Sequence, residues 1–339
     1  MVAEKSTIDI LENTLRKQGL LLDILLLRYP SKKIIQLLRK KQTQELTNTE
    51  KGNITRHNII WATDAYEVDK FQKEEGSTEF SAKKYMKPEL VTSPYGLLIQ
   101  PRASKSREEQ LYRTKDKAEV FTPLDIIKQM NTAVDSYRVT KHTWQKYVKE
   151  LKLEITCGEA PYIVSRYDPT AEEGHLIPLK KRVGFLDMKL RAVSKYAQDE
   201  AEWLCWAEQA FKASYGYEWQ GDNLLLAREN LLYSFIDYFE DRFGKKPSLE
   251  LQEKFAVIIS WNIFQMDGLK YVIPMSCNHR DVKIPAENRI GEYIPEKVEK
   301  YECEGCKYRR PLKHNGKYVK IMDWEKNKVV RFVDLLEVH

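Results

Sequence analysis

The stretch LEITCGEAPYIVSRYD, residues 153–168, places a polar segment between two apolar runs. Glu154 stands among apolar neighbours, and Cys157, Gly158 and Ala160 supply three small residues shortly after it. Small residues let backbone N–H groups approach a ligand, and the start of a following helix favours a negatively charged group. The pattern therefore predicts either a strand, a ligand-binding loop and a helix, or an ordinary strand–turn–helix connection.

Apolar strands and amphipathic helices alternate around this stretch. Helices are predicted after Pro123, over 200–213 and as a long segment from Gly221, with Asp222 expected as the N-cap of the long helix. This alternation favours an α/β fold with a mostly parallel sheet. In such a sheet, ligands bind where the strands end and the helices begin.

Two further acids are expected at the ends of strands. Glu218 ends the segment YGYE, and Asp267 follows the segment NIFQM. A carboxylate at the end of the strand next to the loop can accept the hydroxyls of a ribose. One at the following strand end can accept the amino group of an adenine. Taken singly, each acid is more often a solvated turn residue.

The composition is that of a globular chain. Its 339 residues are 42% hydrophobic and carry a formal net charge of +6, so a sizeable core is expected and the basic excess is mild. Five cysteines do not form a secreted disulfide framework, which favours a reduced, cytoplasmic setting. No signal peptide is recognised, and the longest apolar run, 19–27, is too short to span a bilayer. No membrane partner is expected.

Four elements in this order resemble those of the adenine-specific DNA methyltransferases of restriction–modification systems. They are the tripeptide Phe121-Thr122-Pro123, the loop with Glu154, Cys157, Gly158 and Ala160, and the acids Glu218 and Asp267. The resemblance covers roughly residues 55–339 and implies a Rossmann-like sheet with S-adenosylmethionine as the cofactor. It also implies that all nine of these residues bind the cofactor, Glu218 through the ribose and Asp267 through the adenine.

Several features depart from that family. Ile155 stands where the family has proline, and Ala160 where it has a second glycine; alanine keeps the loop small but disfavours a positive φ. Glu154 and Glu218 are far apart in the sequence, which predicts an insertion over 165–205. No Pro-Pro pair occurs in the chain, so the family's Asn/Asp-Pro-Pro-Tyr/Phe loop, which holds the flipped adenine, is not found.

The resemblance therefore implies the cofactor-binding subunit of a split adenine-N6 DNA methyltransferase. A second polypeptide would supply the catalytic loop and the recognition of a target in double-stranded DNA. The methyl group would pass directly from the sulfonium to N6, and this chain would contribute positioning and desolvation. The alternative is a non-catalytic DNA-binding or scaffold module derived from such an enzyme.

The sequence predicts four regions. They are an N-terminal helical region (1–50), a basic and irregular extension (51–117), a Rossmann-like cofactor-binding domain (118–272) and a Cys-rich segment with a terminal hairpin (273–339).

The Cys-rich segment contains a possible zinc site. Cys303 and Cys306 form a C-x2-C pair, Cys277 lies upstream, and either His279 or His314 can provide a fourth ligand. Because protein ligands would fill all four positions, such a zinc would be structural. A reduced surface turn without metal is the equally weighted alternative.

A basic run over 102–117 is a candidate surface for DNA phosphates, to which Lys and Arg side chains bind. The residues assigned to it are Arg102, Lys105, Arg107 and Arg113. The alternative is a solvated loop, or ion pairs with the acids of the same run. Cys205 is expected to belong to the hydrophobic core, and so are three tryptophans that could otherwise stack on bases: Trp203, Trp206 and Trp219.

Overall fold

The computed structural model describes residues 15–17, 19–66, 78–92, 95–117, 119–135, 143–171, 175–284, 287–289, 292–294 and 297–336 of the chain. Residues 1–14, which begin the predicted N-terminal helical region, lie outside this set. The chain divides into two compact units, Met1–Gln265 and Met266–His339. The boundaries predicted at residues 50 and 117 both fall within the first unit.

The first unit is built from helices around a small sheet. Its α-helices are α1 (Gly19–Leu26), α2 (Lys32–Thr43), α3 (Asn48–Arg56), α4 (Arg107–Lys117), α5 (Leu124–Ala133), α6 (Trp144–Lys149), α7 (Phe185–Tyr196), α8 (Glu200–Lys212), α9 (Gly221–Phe243) and α10 (Leu249–Asn262). Its strands are β1 (Lys152–Glu154), β2 (Ser214–Glu218) and β3 (Ile263–Gln265).

The three strands are parallel and lie in chain order, with β2 in the centre. A parallel pair needs a long crossover, and each crossover here contains two helices: α7 and α8 between β1 and β2, then α9 and α10 between β2 and β3. Within the predicted insertion over 165–205, the described residues include α7 and the start of α8. The structure is therefore a mixed α/β fold with a small parallel sheet, as the alternating pattern predicted.

Local sequence signals explain where the helices begin and end. Ser31 caps α2 and Ser248 caps α10, each accepting a backbone N–H of the first turn. Gly244 ends α9 with a φ of +67°, which glycine adopts at little cost. The expectation that Asp222 caps α9 is wrong, because Gln220 occupies that position and Asp222 lies inside the helix.

An aromatic core lies between the crossover helices. The rings of Phe235 on α9 and Phe255 on α10 stack with centroids 3.7 Å apart, and Trp203 of α8 is fully buried beside Phe235. The prediction that Trp203 is a core residue is therefore confirmed, whereas Trp206 and Trp219, predicted alike, are only partly buried. The same prediction for Cys205 is wrong, because α8 turns this thiol to the surface.

A fully buried arginine connects α1 to this core. The Arg228 guanidinium on α9 donates to the carbonyl oxygens of Leu25 (2.5 Å), Leu27 (2.8 Å), Ser260 (3.0 Å) and Ile263 (2.8 Å). Burial lowers the pKa of Arg228 to about 9. Hydrogen bonds to several carbonyl groups compensate for the desolvation of a buried polar group.

The segment around Ile60 lies beside the end of β3. The Gln265 side chain accepts the Ile60 N–H at 2.9 Å and donates to the Ile60 carbonyl at 2.7 Å, as a neighbouring strand would. The Gly221 N–H donates to the Trp61 carbonyl at 2.7 Å, and a side chain at Gly221 would clash with the Ile60 carbonyl. The segment 59–62 is thereby held at the carboxyl end of the parallel sheet.

The second unit contains antiparallel β-structure and one short helix. Its elements are β4 (Arg280–Ile284), β5 (Glu287–Arg289), β6 (Glu292–Ile294), β7 (Lys297–Tyr301), α11 (Glu304–Tyr308), β8 (Lys320–Asp323) and β9 (Lys328–Arg331). The pairs are β4–β7, β5–β6 and β8–β9, and the last of these is the predicted terminal hairpin. Within the described part of the chain, no helix combines the length and the apolar character needed to cross a bilayer.

Candidate functional site

Acids from two adjacent strands hold the loop that follows β1. Glu154, at the end of β1, accepts the backbone N–H groups of Tyr162 at 3.3 Å and Ile163 at 3.1 Å. Glu218, at the end of β2, accepts the N–H of Gly158 at 2.8 Å and that of Gln220 at 3.1 Å. Glu154 and Glu218 are both buried, and the loop over 157–163 lies at the carboxyl ends of both strands.

The backbone of this loop is left-handed at three positions. Thr156 has a φ of +49°, Gly158 +53° and Ala160 +63°. For residues other than glycine this region costs about 1–2 kcal/mol each, so the loop stores strain at Thr156 and Ala160. The sequence pattern disfavoured a positive φ at Ala160, yet the fold imposes it, and the Ala160 N–H donates to the Cys157 carbonyl at 2.7 Å.

The Phe121 ring covers the glycine of the loop. A Cβ atom at Gly158 would lie 3.0 Å from Cε1 of Phe121, so only glycine leaves room for this ring. Phe121 and Thr122 precede α5, and Pro123 is the N-cap residue of that helix, as the sequence predicted. The structure thus brings Phe121, Gly158 and Glu218 together from three separate segments of the chain.

Cys157 is a packing residue in this loop. Its side chain is buried, and its Sγ would lie 3.2 Å from a Cβ at Gly216 of β2. Burial, with a further contribution from Glu154, raises the pKa of the Cys157 thiol well above its usual value. A thiol that stays neutral is a poor nucleophile. Cys157 therefore contributes to the packing of the loop and is not a candidate nucleophile.

Burial also controls the charge of the two acids. It raises the pKa of Glu218 to about 7, although the Gln220 and Gly158 N–H groups act in the opposite direction. Burial likewise raises the pKa of Glu154 well above its usual value, and the negative charge of Glu218 adds to the effect. The two carboxylates therefore resist simultaneous ionisation, and Glu218 changes charge near neutral pH.

Asp267 belongs to the second unit and is engaged in its own turn. Its Oδ1 accepts the N–H groups of Leu269 at 3.0 Å and Lys270 at 3.1 Å, and its Oδ2 lies 3.4 Å from the Lys270 ammonium. Such contacts are those of an acid that stabilises a turn. In the chain, Asp267 follows the last residue of β3 by two positions.

The basic run is only partly on the surface. Arg107 is exposed at the start of α4, whereas Lys105 is buried and Arg113 is 1% exposed. The Arg102 guanidinium is half-buried, and its carbon lies 5.1 Å from the centroid of the Phe121 ring. Because their side chains are buried, Lys105 and Arg113 do not belong to the exposed surface of the basic run.

Arg113 instead organises a buried polar network. Its guanidinium donates to Asp222 at 2.6 Å, to Glu119 at 2.9 Å and to the Tyr66 hydroxyl at 2.9 Å. The Asn223 amide also donates to Glu119, at 2.7 Å. Although burial alone would raise the pKa of Asp222, the Arg113 cation lowers it, so this acid stays ionised. Through this network, Tyr66, Arg113 and Glu119 are connected to Asp222 and Asn223 at the start of α9.

A compact cluster in the second unit could hold a metal ion. Nδ1 of His314 lies 3.6 Å from the sulfur of each of Cys277, Cys303 and Cys306, and the four ligand atoms lie within 4.8 Å of one another. Tetrahedral zinc with bonds of ordinary length holds a nitrogen about 3.6 Å from each sulfur. The donor set and its spacing therefore fit zinc. Nδ1 of the other histidine considered, His279, accepts the Cys303 N–H at 3.4 Å instead.

No protein-family model, curated protein or solved structure matches this chain. The function has to be inferred from the geometry of the residues and from the sequence motifs that the structure assembles.

Proposed function

We propose that this chain is the cofactor-binding subunit of a split DNA adenine-N6 methyltransferase, with S-adenosylmethionine as the methyl donor. One observation carries the proposal: the Glu218 carboxylate and the Gly158 N–H meet at 2.8 Å under the Phe121 ring. These residues come from the three motifs that resemble the methyltransferase family. Their meeting point lies at the carboxyl end of a parallel sheet, where α/β folds bind nucleotides.

Different residues of this chain would contact different parts of the cofactor. Glu218 can accept the ribose hydroxyls in place of the backbone N–H groups that it now binds. The turn at Gly158 lets the backbone approach the ligand closely, and Phe121 offers an apolar surface next to the sulfonium. When bound, the cofactor supplies the transferable methyl group, and the protein supplies position and a dry environment.

The proposal includes a second polypeptide, because the chain has no Pro-Pro pair with which to form the catalytic loop. Exposed apolar side chains support it. Leu153 on β1, which is an edge strand of the described sheet, is 43% exposed, and Ile155, which directly follows this strand, is 65% exposed. Ile126 and Met130 on α5 and Val134, the C-cap residue of this helix, recur every four residues and are all exposed. A face of this kind on a globular chain marks a contact with another protein.

Calorimetric titration of the purified chain with S-adenosylmethionine tests the cofactor assignment. We expect binding by the wild type, and about 10- to 100-fold weaker binding by Glu218→Ala, because hydrogen bonds to a charged acceptor are lost. Glu45→Ala, which alters an exposed acid elsewhere, is the matched control and should bind as the wild type does.

The alternative module predicts a different result. A non-catalytic DNA-binding or scaffold protein would show no heat with S-adenosylmethionine in any variant, whether or not it retained DNA. That outcome would refute the cofactor assignment. If the wild type binds the cofactor but no candidate partner restores methyl transfer to DNA, the methyltransferase assignment fails while cofactor binding stands.

The metal cluster of the second unit has a separate proposed role. We propose that Cys277, Cys303, Cys306 and His314 bind one structural zinc ion. With four protein ligands the ion has no open coordination position for a substrate, so it would stabilise the second unit without taking part in chemistry.

A further inference from the structure

Buried polar atoms without hydrogen-bond partners lie beside the Phe121 ring. Within the described chain, no hydrogen-bond partner is found for Nε and Nη1 of Arg102, Oε2 of Glu119 or Oδ1 of Asn223. Glu119 and Asn223 are both buried, and the Arg102 side chain is 13% exposed. Buried polar groups in proteins are nearly always paired, so these atoms point to an additional binding partner.

The distances between these atoms show which of them can still form hydrogen bonds. Nη1 of Arg102 and Oε2 of Glu119 are 3.9 Å apart, close enough to attract but too far to hydrogen-bond. Oε1 of Glu119 already accepts from Arg113 at 2.9 Å and from the Asn223 amide nitrogen at 2.7 Å. Nη2 of Arg102 donates to the Thr114 hydroxyl at 3.3 Å. Consequently Nε and Nη1 of Arg102, Oε2 of Glu119 and Oδ1 of Asn223 are the atoms that keep their hydrogen-bonding capacity for a ligand.

The atoms adjoin the proposed cofactor site. The Arg102 guanidinium carbon lies 5.1 Å from the Phe121 ring centroid, and that ring covers Gly158. Glu119 precedes Phe121 by two residues, and Asn223 follows Glu218 by five. A ligand held by Glu218 and Gly158 therefore has these atoms as neighbours on the Phe121 side.

We propose that Arg102, Glu119 and Asn223 form the subsite for the α-amino acid end of the sulfonium nucleoside. An α-amino acid carries an ammonium group and a carboxylate on one carbon, which is the charge pattern that this set complements. Arg102 donates to the carboxylate, while Oε2 of Glu119 and Oδ1 of Asn223 accept from the ammonium. The inference rests on the proposed function and extends it to residues outside the motifs.

Two ligands that differ only in this end provide the test. S-adenosylhomocysteine and 5′-methylthioadenosine share the adenine, the ribose and the thioether, but only the first has the amino acid group. In calorimetry, the wild type should prefer S-adenosylhomocysteine. Arg102→Gln should bind it about 10- to 100-fold less tightly and bind 5′-methylthioadenosine unchanged, because only the first loses a charge-assisted hydrogen bond.

Matched variants separate recognition from folding. Arg107→Gln removes an exposed arginine of the same segment and should keep the wild-type preference. Arg102→Lys keeps the charge but loses the planar fork, so an intermediate preference is expected. The backbone N–H of Arg102, which donates to Glu159 at 2.8 Å, is present in every variant, and thermal melts should be similar.

Each outcome is decisive. Equal affinity of the wild type for the two ligands overturns the subsite and leaves the proposed function standing. Equal weakening of both ligands by Arg102→Gln also overturns it, because the arginine would then only position Phe121. Binding of neither ligand, with no binding of S-adenosylmethionine, refutes the proposed function itself.

Discussion

Glu218 carries an energetic cost in this fold. Its pKa is raised to about 7 by burial, against a usual value of 4.5. Between these two pH values the folded chain binds a proton that the unfolded chain has released. The unfolding free energy therefore falls as pH rises through this window. A residue that weakens the protein when ionised, at the end of a central strand, is typical of a functional site.

Glu218→Gln should remove this pH dependence. Glutamine stays neutral, so relative to the wild type the variant should gain up to about 3 kcal/mol of unfolding free energy between about pH 5 and pH 8. Urea denaturation at a series of pH values measures the difference. Glu45→Gln, on the exposed surface, serves as the control and should follow the wild type. Parallel pH curves for Glu218→Gln and the wild type would contradict the assignment.

Residues whose roles follow from the local sequence could be predicted. Gly158 was predicted because only small residues permit a close backbone approach, and Pro123 because proline suits a helix start. The expectation that Asp222 caps a helix was wrong, and the burial of Arg113 was not predicted, because the roles of these two residues depend on each other across 109 positions. A charged residue in a polar run gives no local sign that it will be buried. Arg102, Glu119 and Asn223 were not linked for the same reason.

The elements were predictable where hydrophobic periodicity was strong. The helices after Pro123, over 200–213 and from Gly221 all form, and the three parallel strands follow from their alternation with helices. Strand length was not evident, because β1 and β3 are only three residues long. The choice of His314 as the fourth ligand needed the structure, since two histidines had acceptable spacing.

The loops of the second unit should depend on zinc. Binding of structural zinc is worth about 10–16 kcal/mol in small zinc domains, which is more than the total stability of many domains. We expect about one zinc per purified chain by elemental analysis. Chelation should then make the second unit sensitive to limited proteolysis, while the first unit stays resistant.

Serine substitutions distinguish the cluster from an incidental thiol. Cys303→Ser should lose the metal and show the same proteolytic sensitivity. Cys205→Ser changes an exposed cysteine outside the cluster and should retain the metal. A wild-type chain that binds no zinc after refolding with the metal would rule out the structural site.

The exposed apolar face on β1 and α5 has a consequence for the isolated chain. An edge strand offers unpaired backbone groups to other chains, and apolar side chains on it promote self-association. Without a partner, the purified wild type should therefore associate in a concentration-dependent manner. Sedimentation velocity over a range of concentrations measures this.

Ile155→Lys should suppress that association, because a charge on an edge strand opposes pairing between chains. Leu249→Lys is the control: Leu249 is 51% exposed at the start of α10, away from β1, and its substitution should leave association unchanged. A wild-type chain that sediments as a monomer at all concentrations would show that this apolar face does not cause self-association.

The placement of Arg228 bears on how the protein is made in the cell. Its four carbonyl acceptors come from residues 25–27 and 260–263, near the two ends of the first unit. A nascent polypeptide that has not yet left the ribosome tunnel beyond Ser260 cannot satisfy this guanidinium inside a core. The first unit therefore completes its folding only after its last strand has been synthesised, because until then Arg228 lacks two of its four carbonyl acceptors.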